Sequence, residues 1–287
     1  MTLLKIFVLA LVQGAAELLP VSSSAHVIIA EKLMGLDPTS PDMTLLLVML
    51  HTGTMFAVII FFWKSWKMSF FSSRHTLWVS LKLILGATFL TGVVGLLLKS
   101  LIEKFMLGNV PHAEIELLFG NLDLISAALA AVGVLIIFAE WKRRRLPIEN
   151  NLLGLKEALW IGTVQGMCLP FRGFSRSGAT ISTGLLLGIA KAKVEDFSFA
   201  LAVVLTPPIL LREVLRLLKA QHASGQNLTG MASLFYPSLL GMVLSFISGM
   251  LALRWLSNWL ERGRWHLFGI YCLCASVAVF LLHKNVL

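Results

Sequence analysis

Residues 12–26, VQGAAELLPVSSSAH, run from an apolar helical stretch into a proline, three serines and a histidine. Residues 164–180, VQGMCLPFRGFSRSGAT, repeat the plan in part, with two arginines among the hydroxyls. Both stretches sit in sequence otherwise suited to lipid, where polar side chains are costly and persist mainly for function. One such loop in each half of the chain points to a single site assembled where two repeats meet.

The composition agrees with that setting. The 287-residue chain is 57% hydrophobic and only 14% charged, with a mean hydropathy of +0.84, too apolar for an ordinary soluble domain. The fold class is therefore all-α, a polytopic membrane protein. Apolar windows at 43–63, 77–98, 122–139, 197–218, 231–253 and 267–282 each approach the ~20 residues that a helix needs to cross hydrocarbon. These windows predict six transmembrane helices. The N-terminal MTLLKIFVLALVQG has the apolar character of a signal peptide, but Gln13 and Glu17 follow without a small-residue cleavage site, so the segment is expected to be retained.

Cys168 stands alone, and Cys272 and Cys274 point to different faces of one helix, so neither a disulfide framework nor a zinc site is expected. The net charge of +9 does not imply a nucleic-acid partner, because the basic residues sit in short loops between spans. Their larger share, including Lys64, Lys67, Lys142, Arg143, Arg144, Arg145, Lys191, Lys193, Arg254, Arg262 and Arg264, falls on one side of the predicted spans. The smaller share, including Lys5, Lys99, Arg212 and Lys284, falls on the other. The richer side is expected to be cytoplasmic.

Segments 2–36 and 152–190 are each broken near the middle by proline and by serine or glycine. Each reads as a re-entrant helical hairpin, since non-helical backbone at membrane depth must be buried in protein or line a wet cavity. The alternative makes 3–19 a full span and 25–36 an interfacial helix. With hairpins, repeat one (1–147) is a hairpin and three spans, and repeat two (148–287) is the same after the basic linker WKRRRLPIENN. Three is odd, so the second repeat inserts upside down, an inverted-topology repeat with hairpin tips meeting near the midplane. Both chain ends are then expected outside.

In the first tip, Ser22 and Ser23 lie four and three residues before His26, on one face if a helix begins there. A hydroxyl beside an imidazole is an activated nucleophile in outline. Glu17, four residues after Gln13, could orient His26 or hold a divalent cation. Serines 22–24 could instead simply cap a helix, although capping leaves Glu17 and His26 unexplained. The second tip brings Arg172, Gly173, Ser175, Arg176, Ser177 and Thr180. Guanidinium groups and helix N-termini make an anion site, while the plainer reading pairs a guanidinium with Glu17. His51 and Thr54 in LHTGT could face the same cavity, or His51 could be a satisfied core histidine. Pro207 and Pro208 should kink the fourth span beside the cavity. A nucleophile, base, carboxylate and anion clamp reached from lipid suit phosphoryl transfer on a phosphorylated lipid. A transporter of prenyl phosphate is the rival reading, because broken helices in inverted repeats are common in carriers.

QGAAELLPVSSSAH resembles the glutamate-rich motif, and GFSRSGAT the arginine-serine motif, of the undecaprenyl-diphosphate phosphatase or bacitracin resistance family. Similarity extends over nearly the whole chain, including LHTGT and FSFALAV at 197–203. The resemblance implies a multi-pass enzyme of the bacterial inner membrane that hydrolyses undecaprenyl diphosphate to the monophosphate and inorganic phosphate. That reaction recycles the carrier lipid for peptidoglycan synthesis and underlies bacitracin resistance. It further implies an active site open to the periplasm. Carried over by position, Glu17, Ser22, Ser23, His26 and Arg176 would be catalytic, and Gln13, Ser175 and Ser177 would bind substrate; from the residues of the two tips and LHTGT themselves, Ser24, Arg172, Gly173, Thr180, His51 and Thr54 are expected to bind substrate beside them. Magnesium or calcium would bind at Glu17 with Gln13; no organic cofactor is expected, and a homodimer is a further expectation. Three positions depart from the family pattern: Gln13 stands for a common Glu, Ala25 for Gly, and Arg172 for Pro. One fewer carboxylate and one more guanidinium shift charge neutralisation from metal toward protein.

Overall fold

The computed structural model describes residues 2–38, 40–106, 115–145, 152–224, 228–260 and 264–285. They form ten α-helices: α1 (Leu3–Glu17), α2 (Ser23–Leu33), α3 (Pro41–Ser69), α4 (Arg74–Met106), α5 (Leu122–Arg143), α6 (Leu155–Cys168), α7 (Arg176–Leu186), α8 (Lys191–Ser224), α9 (Leu228–Leu260) and α10 (Trp265–Asn285). A short 3-10 turn, Ile115–Leu118, precedes α5. Six helices are long and apolar enough to cross a membrane: α3, α4, α5, α8, α9 and α10. They coincide with the six apolar windows. Several run well past them, to 33 residues in α4 and 34 in α8, so these helices tilt or project beyond the hydrocarbon. Pro207 and Pro208 both lie inside α8.

The two interrupted segments each form a helix pair. At a rise of about 1.5 Å per residue, α1, α2, α6 and α7, with 15, 11, 14 and 11 residues, are too short for a hydrocarbon core of about 30 Å. The α1–α2 break carries Ser22 at φ 66, the one non-glycine residue with positive φ among those described. In the α6–α7 turn, Gly173 has φ +103, and a Cβ there would lie 2.6 Å from the Ile125 carbonyl oxygen, so only glycine fits. On α2, Ala25 and Ile28 are fully buried against Leu122, Ile125, Leu129 and Val279. That packing buries one face of α2 against α5 and α10.

Helices in lipid gain little from hydrophobicity against one another and associate through close packing and interhelical hydrogen bonds. The repeated VQG supplies the close approach in both halves. A Cβ on Gly14 of α1 would lie 2.3 Å from Ser248 Oγ of α9, and one on Gly166 of α6 would lie 2.8 Å from the Thr91 carbonyl oxygen of α4. Both pairs run parallel: Ile6 and Gly14 meet Gly241 and Ser248, while Gly86 and Gly95 meet Leu159 and Leu169. Antiparallel pairs complete the framework. Ser65 and Ser69 of α3 donate to Asp196 Oδ2 of α8 at 2.7 and 2.8 Å, whereas Leu45 and Met49 pack near Leu210 and Val214. Ser126 of α5 donates to the Ser276 carbonyl of α10 at 2.9 Å, and Arg144 meets His266 at 3.2 Å.

The basic cluster after α5 is engaged locally. Arg143 and Arg144 both bind Glu140 at 2.9 Å, and Arg145 stacks over Trp141 at 3.9 Å. Linker residues 146–151 and Arg262 lie outside the described residues. Cys272 is buried and Cys274 exposed, on different faces of α10 as the spacing predicts.

Candidate active site

The helix breaks bring Glu17, at the end of α1, against Arg176, at the start of α7. Arg176 Nη2 donates to Glu17 Oε1 at 2.6 Å. The plainer reading of that guanidinium, a partner for Glu17, therefore holds in this structure. Ser177 Oγ also donates to the Leu19 carbonyl at 3.4 Å, and a Cβ on Gly178 would sit 3.1 Å from the Pro20 carbonyl oxygen. The two tips are thus in direct contact.

Glu17 is the hub. Its Oε2 accepts from Ser23 Oγ at 2.5 Å and from Gln13 Nε2 at 2.9 Å, and His51 Nε2 stands 3.5 Å away. Gln13 Nε2 also lies 3.4 Å from Thr54 Oγ1. Such a cluster of bonds to one carboxylate, only 9% exposed, stabilises its ionised form at a depth where an unpaired charge would be prohibitive. Serine capping does not describe α2, because Ser22 makes no side-chain bond to the helix start. It does describe Ser175, whose Oγ accepts from the Gly178 N–H at 3.2 Å.

A cavity of about 160 Å³ opens over these groups. Glu17, Ser22, Ser23, Ser24, His51, Arg172, Ser175, Arg176 and Ser177 line its polar side, and Met55, Val58, Phe199, Val203 and Ile209 of α3 and α8 form an apolar wall. Gln13 and Thr54 stand behind Glu17 rather than on the cavity surface. Thr180 is likewise recessed, bonded to Ser198 Oγ at 2.6 Å and to the Arg176 carbonyl at 2.8 Å. Arg172 lies over the Phe119 ring at 4.2 Å.

His26 is placed differently from the sequence expectation. Its Nδ1 donates to the Ser22 carbonyl at 2.8 Å and its Nε2 meets the Tyr271 hydroxyl at 2.7 Å, so neither ring nitrogen bonds a serine hydroxyl. The imidazole that the structure brings to Glu17 and the cavity is that of His51. Helical spacing set His26 near the serines, but its ring bonds the carbonyl four residues earlier rather than a hydroxyl. Tyr271 was not foreseen, since it lies 245 residues away on α10 and no local pattern marks it. The apolar wall was foreseeable only as part of the FSFALAV similarity.

For a divalent cation, the oxygen donors here are the Glu17 carboxylate, the Ser23 hydroxyl and Gln13 Oε1, which is buried with no hydrogen-bond partner. That orphaned acceptor beside a carboxylate suits a hard cation, which prefers oxygen ligands and shares phosphate oxygens. No group of three His, Cys, Asp or Glu side chains with metal-ligand placement occurs among the described residues.

The chain is 58% identical over 283 residues to "Undecaprenyl-diphosphatase 2" of Acinetobacter baylyi, covering 98% of each chain. It is 35% identical over 285 residues to "Undecaprenyl-diphosphatase 1" of Burkholderia pseudomallei, covering 94% of this chain and 92% of that one. It is 30% identical over 287 residues to "Undecaprenyl-diphosphatase" of Bacteroides fragilis, covering 96% and 97%. The family model described as "Bacitracin resistance protein BacA" matches residues 6–278, so this all-helical membrane chain, with its acid, serine and arginine brought together between two broken helix pairs, belongs to the BacA family.

Proposed function

We infer that this chain hydrolyses undecaprenyl diphosphate to undecaprenyl phosphate and inorganic phosphate in a bacterial membrane, recycling carrier lipid for cell-wall synthesis. The observation that carries the mechanism is the Ser23–Glu17–Arg176 chain, with contacts of 2.5 and 2.6 Å. Arg176 Nη1 is buried without a hydrogen-bond partner. It is a donor available to a phosphate oxygen, with the N-termini of α2 and α7 beside it. Arg172 extends the positive field along the cavity.

Ser23 Oγ attacks the terminal phosphorus while Glu17 takes its proton. The bond from that phosphorus to the bridging oxygen breaks, and undecaprenyl phosphate departs. Water then cleaves the phosphoserine, returning the proton to Ser23 and releasing phosphate. Direct attack on the terminal phosphorus by a water that Glu17 deprotonates, with the same P–O bond to the bridging oxygen breaking, is the competing route. Mass spectrometry of a rapidly quenched reaction separates them: a transient phosphate on Ser23 supports the serine route, and its absence under burst conditions rejects it. His26 acts at one remove, holding the Ser22 turn. A magnesium or calcium ion, held by Glu17 and Gln13 Oε1, would neutralise phosphate charge. The apolar wall between α3 and α8 receives the prenyl chain.

The two halves are read as an inverted repeat, with both tips re-entrant. Exchanging α1–α5 for α6–α10 turns the parallel pair α1·α9 into the parallel pair α6·α4. The pairs α3·α8 and α5·α10, each made of counterparts, run antiparallel, as an axis perpendicular to the helices requires. The more basic face, with Lys64, Lys67, Lys191 and the 142–145 cluster, is proposed to be cytoplasmic, with both termini and the site opening periplasmic.

Arg176→Ala should lower turnover by about 100-fold or more, as when one charge-stabilising donor is lost. Phosphate release from undecaprenyl diphosphate by purified protein in detergent measures it, where no compartments exist for transport. Wild-type protein that releases no phosphate there would reject the enzyme in favour of a carrier.

A further inference from the structure

A short turn joins α7 to α8, and the two helices pack as an antiparallel pair. Gly184 faces Val194, where a Cβ on the glycine would run into the valine side chain. One helical turn away, Thr180 Oγ1 meets Ser198 Oγ at 2.6 Å. These two contacts fix the register, since each step of four residues back along α7 matches a step of four forward along α8. The next step sets Arg176 opposite Ala202, and both line the catalytic cavity. Phe199, Val203 and Ile209, which form the α8 side of the apolar wall, belong to the same stretch of helix.

Thr180 and Ser198 are both fully buried. A serine in a helix interior commonly donates to the carbonyl one turn back, yet the partner of the Ser198 hydroxyl among the described residues is Thr180. The number of protons sets the direction of the bonds. Thr180 Oγ1 donates to the Arg176 carbonyl at 2.8 Å, and a carbonyl can only accept, so the single Thr180 proton is engaged there. Ser198 is therefore the donor to Thr180. The result is a chain from Ser198 through Thr180 to the Arg176 backbone, in which each bond polarises the next. The Ser177 carbonyl lies 3.5 Å from Thr180 Oγ1 as a second acceptor, and the bond from Ser198 holds the hydroxyl to the first.

We propose that Ser198 is a positioning residue for Arg176, acting through Thr180, and that this hydroxyl pair locks the apolar wall on α8 to the guanidinium on α7. Its use in turnover rests on the phosphatase reading above. Arg176 is drawn toward Glu17 at 2.6 Å, and it must also hold a phosphate at a set distance from Ser23. A prenyl chain seated against Phe199 and Val203 delivers its diphosphate to that guanidinium only if α7 and α8 keep their register. Small displacements of a group that stabilises the transition state lower rate more than they weaken binding.

The test pairs steady-state hydrolysis of undecaprenyl diphosphate by the purified full-length protein in detergent with amide hydrogen exchange of the peptide that covers α7. Ser198→Ala should lower kcat about five- to tenfold with KM within about threefold, the scale of one lost hydrogen bond. Exchange in the first turn of α7 should quicken at least threefold, with α9 unchanged. On a Thr180→Val background, where the chain is already broken, Ser198→Ala should cost less than about twofold in kcat. Losses that multiply independently overturn the proposal. So does an unchanged kcat in Ser198→Ala, or a rise in KM alone. Hydrogen exchange needs no turnover, so a wild type that releases no phosphate would defeat the phosphatase reading and leave the lock to be decided separately. Faster exchange at α7 in Ser198→Ala would then support the lock, and unchanged exchange would overturn it.

Discussion

At the residue scale, the site turns on one carboxylate serving several partners. Glu17 joins Ser23, Gln13 and Arg176 at 2.5 to 2.9 Å, with His51 at 3.5 Å. The Gln13 amide donates to Glu17 where a second carboxylate would repel it. Gln13→Glu should therefore make activity depend more strictly on a divalent cation, lowering the magnesium concentration for half-maximal rate about tenfold. A magnesium titration of both proteins after chelator treatment checks this; identical curves would show that position 13 does not set the metal requirement. The Tyr271 hydroxyl bonds the His26 ring, which in turn bonds the carbonyl of the left-handed Ser22. A residue in that conformation stores about 1–3 kcal/mol that its surroundings must sustain. Tyr271→Phe should reduce kcat about tenfold with KM within twofold, because the brace positions Ser23 and lies outside the cavity lining. A wild-type kcat would remove the brace from the mechanism.

At the scale of the element, packing rather than hydrophobicity distinguishes one helix pairing from another. A Cβ on Gly162 of α6 would lie 2.3 Å from the Ala87 carbonyl oxygen of α4, and that backbone cannot yield without separating the helices. A Cβ on Gly92, also on α4, would meet nothing within 4 Å. Gly162→Ala should thus destabilise by about 1–3 kcal/mol, as overpacking does, and lower the unfolding midpoint in detergent by several degrees. Gly92→Ala should be neutral or slightly stabilising, since alanine suits a helix interior better by about 1 kcal/mol. Equal midpoints for the two variants would contradict the close α4–α6 contact. The short helices α1, α2, α6 and α7 show how an element can be legible while its contacts are not. Proline and serine or glycine mark each break, yet the His26 ring is held by the Ser22 carbonyl and by Tyr271 of α10.

At the scale of the whole molecule, the proposed orientation makes an accessibility prediction. In a chain carrying Cys274→Ser, with Cys168 and Cys272 buried, Ser72→Cys in the α3–α4 turn should react only with reagents that reach the cytoplasm. Ser40→Cys before α3 should react with impermeant thiol reagents applied to intact spheroplasts. The reverse pattern would invert the topology and with it the side to which the site opens.

The sequence alone determined the membrane class, the six spans, the two broken segments and most of the residues around the cavity. Hydrophobic length and proline-serine interruptions are local properties, and the bilayer constrains them strongly. The Glu17 and Arg176 motifs were legible for the same reason, as costly polar groups in an apolar chain. Only the tertiary structure decided that Glu17 takes the Ser23 hydroxyl, that His51 replaces His26 beside it, and that Tyr271 enters at all. Those choices depend on how helices far apart in the chain approach within a few ångströms, and no local pattern of residues encodes that distance.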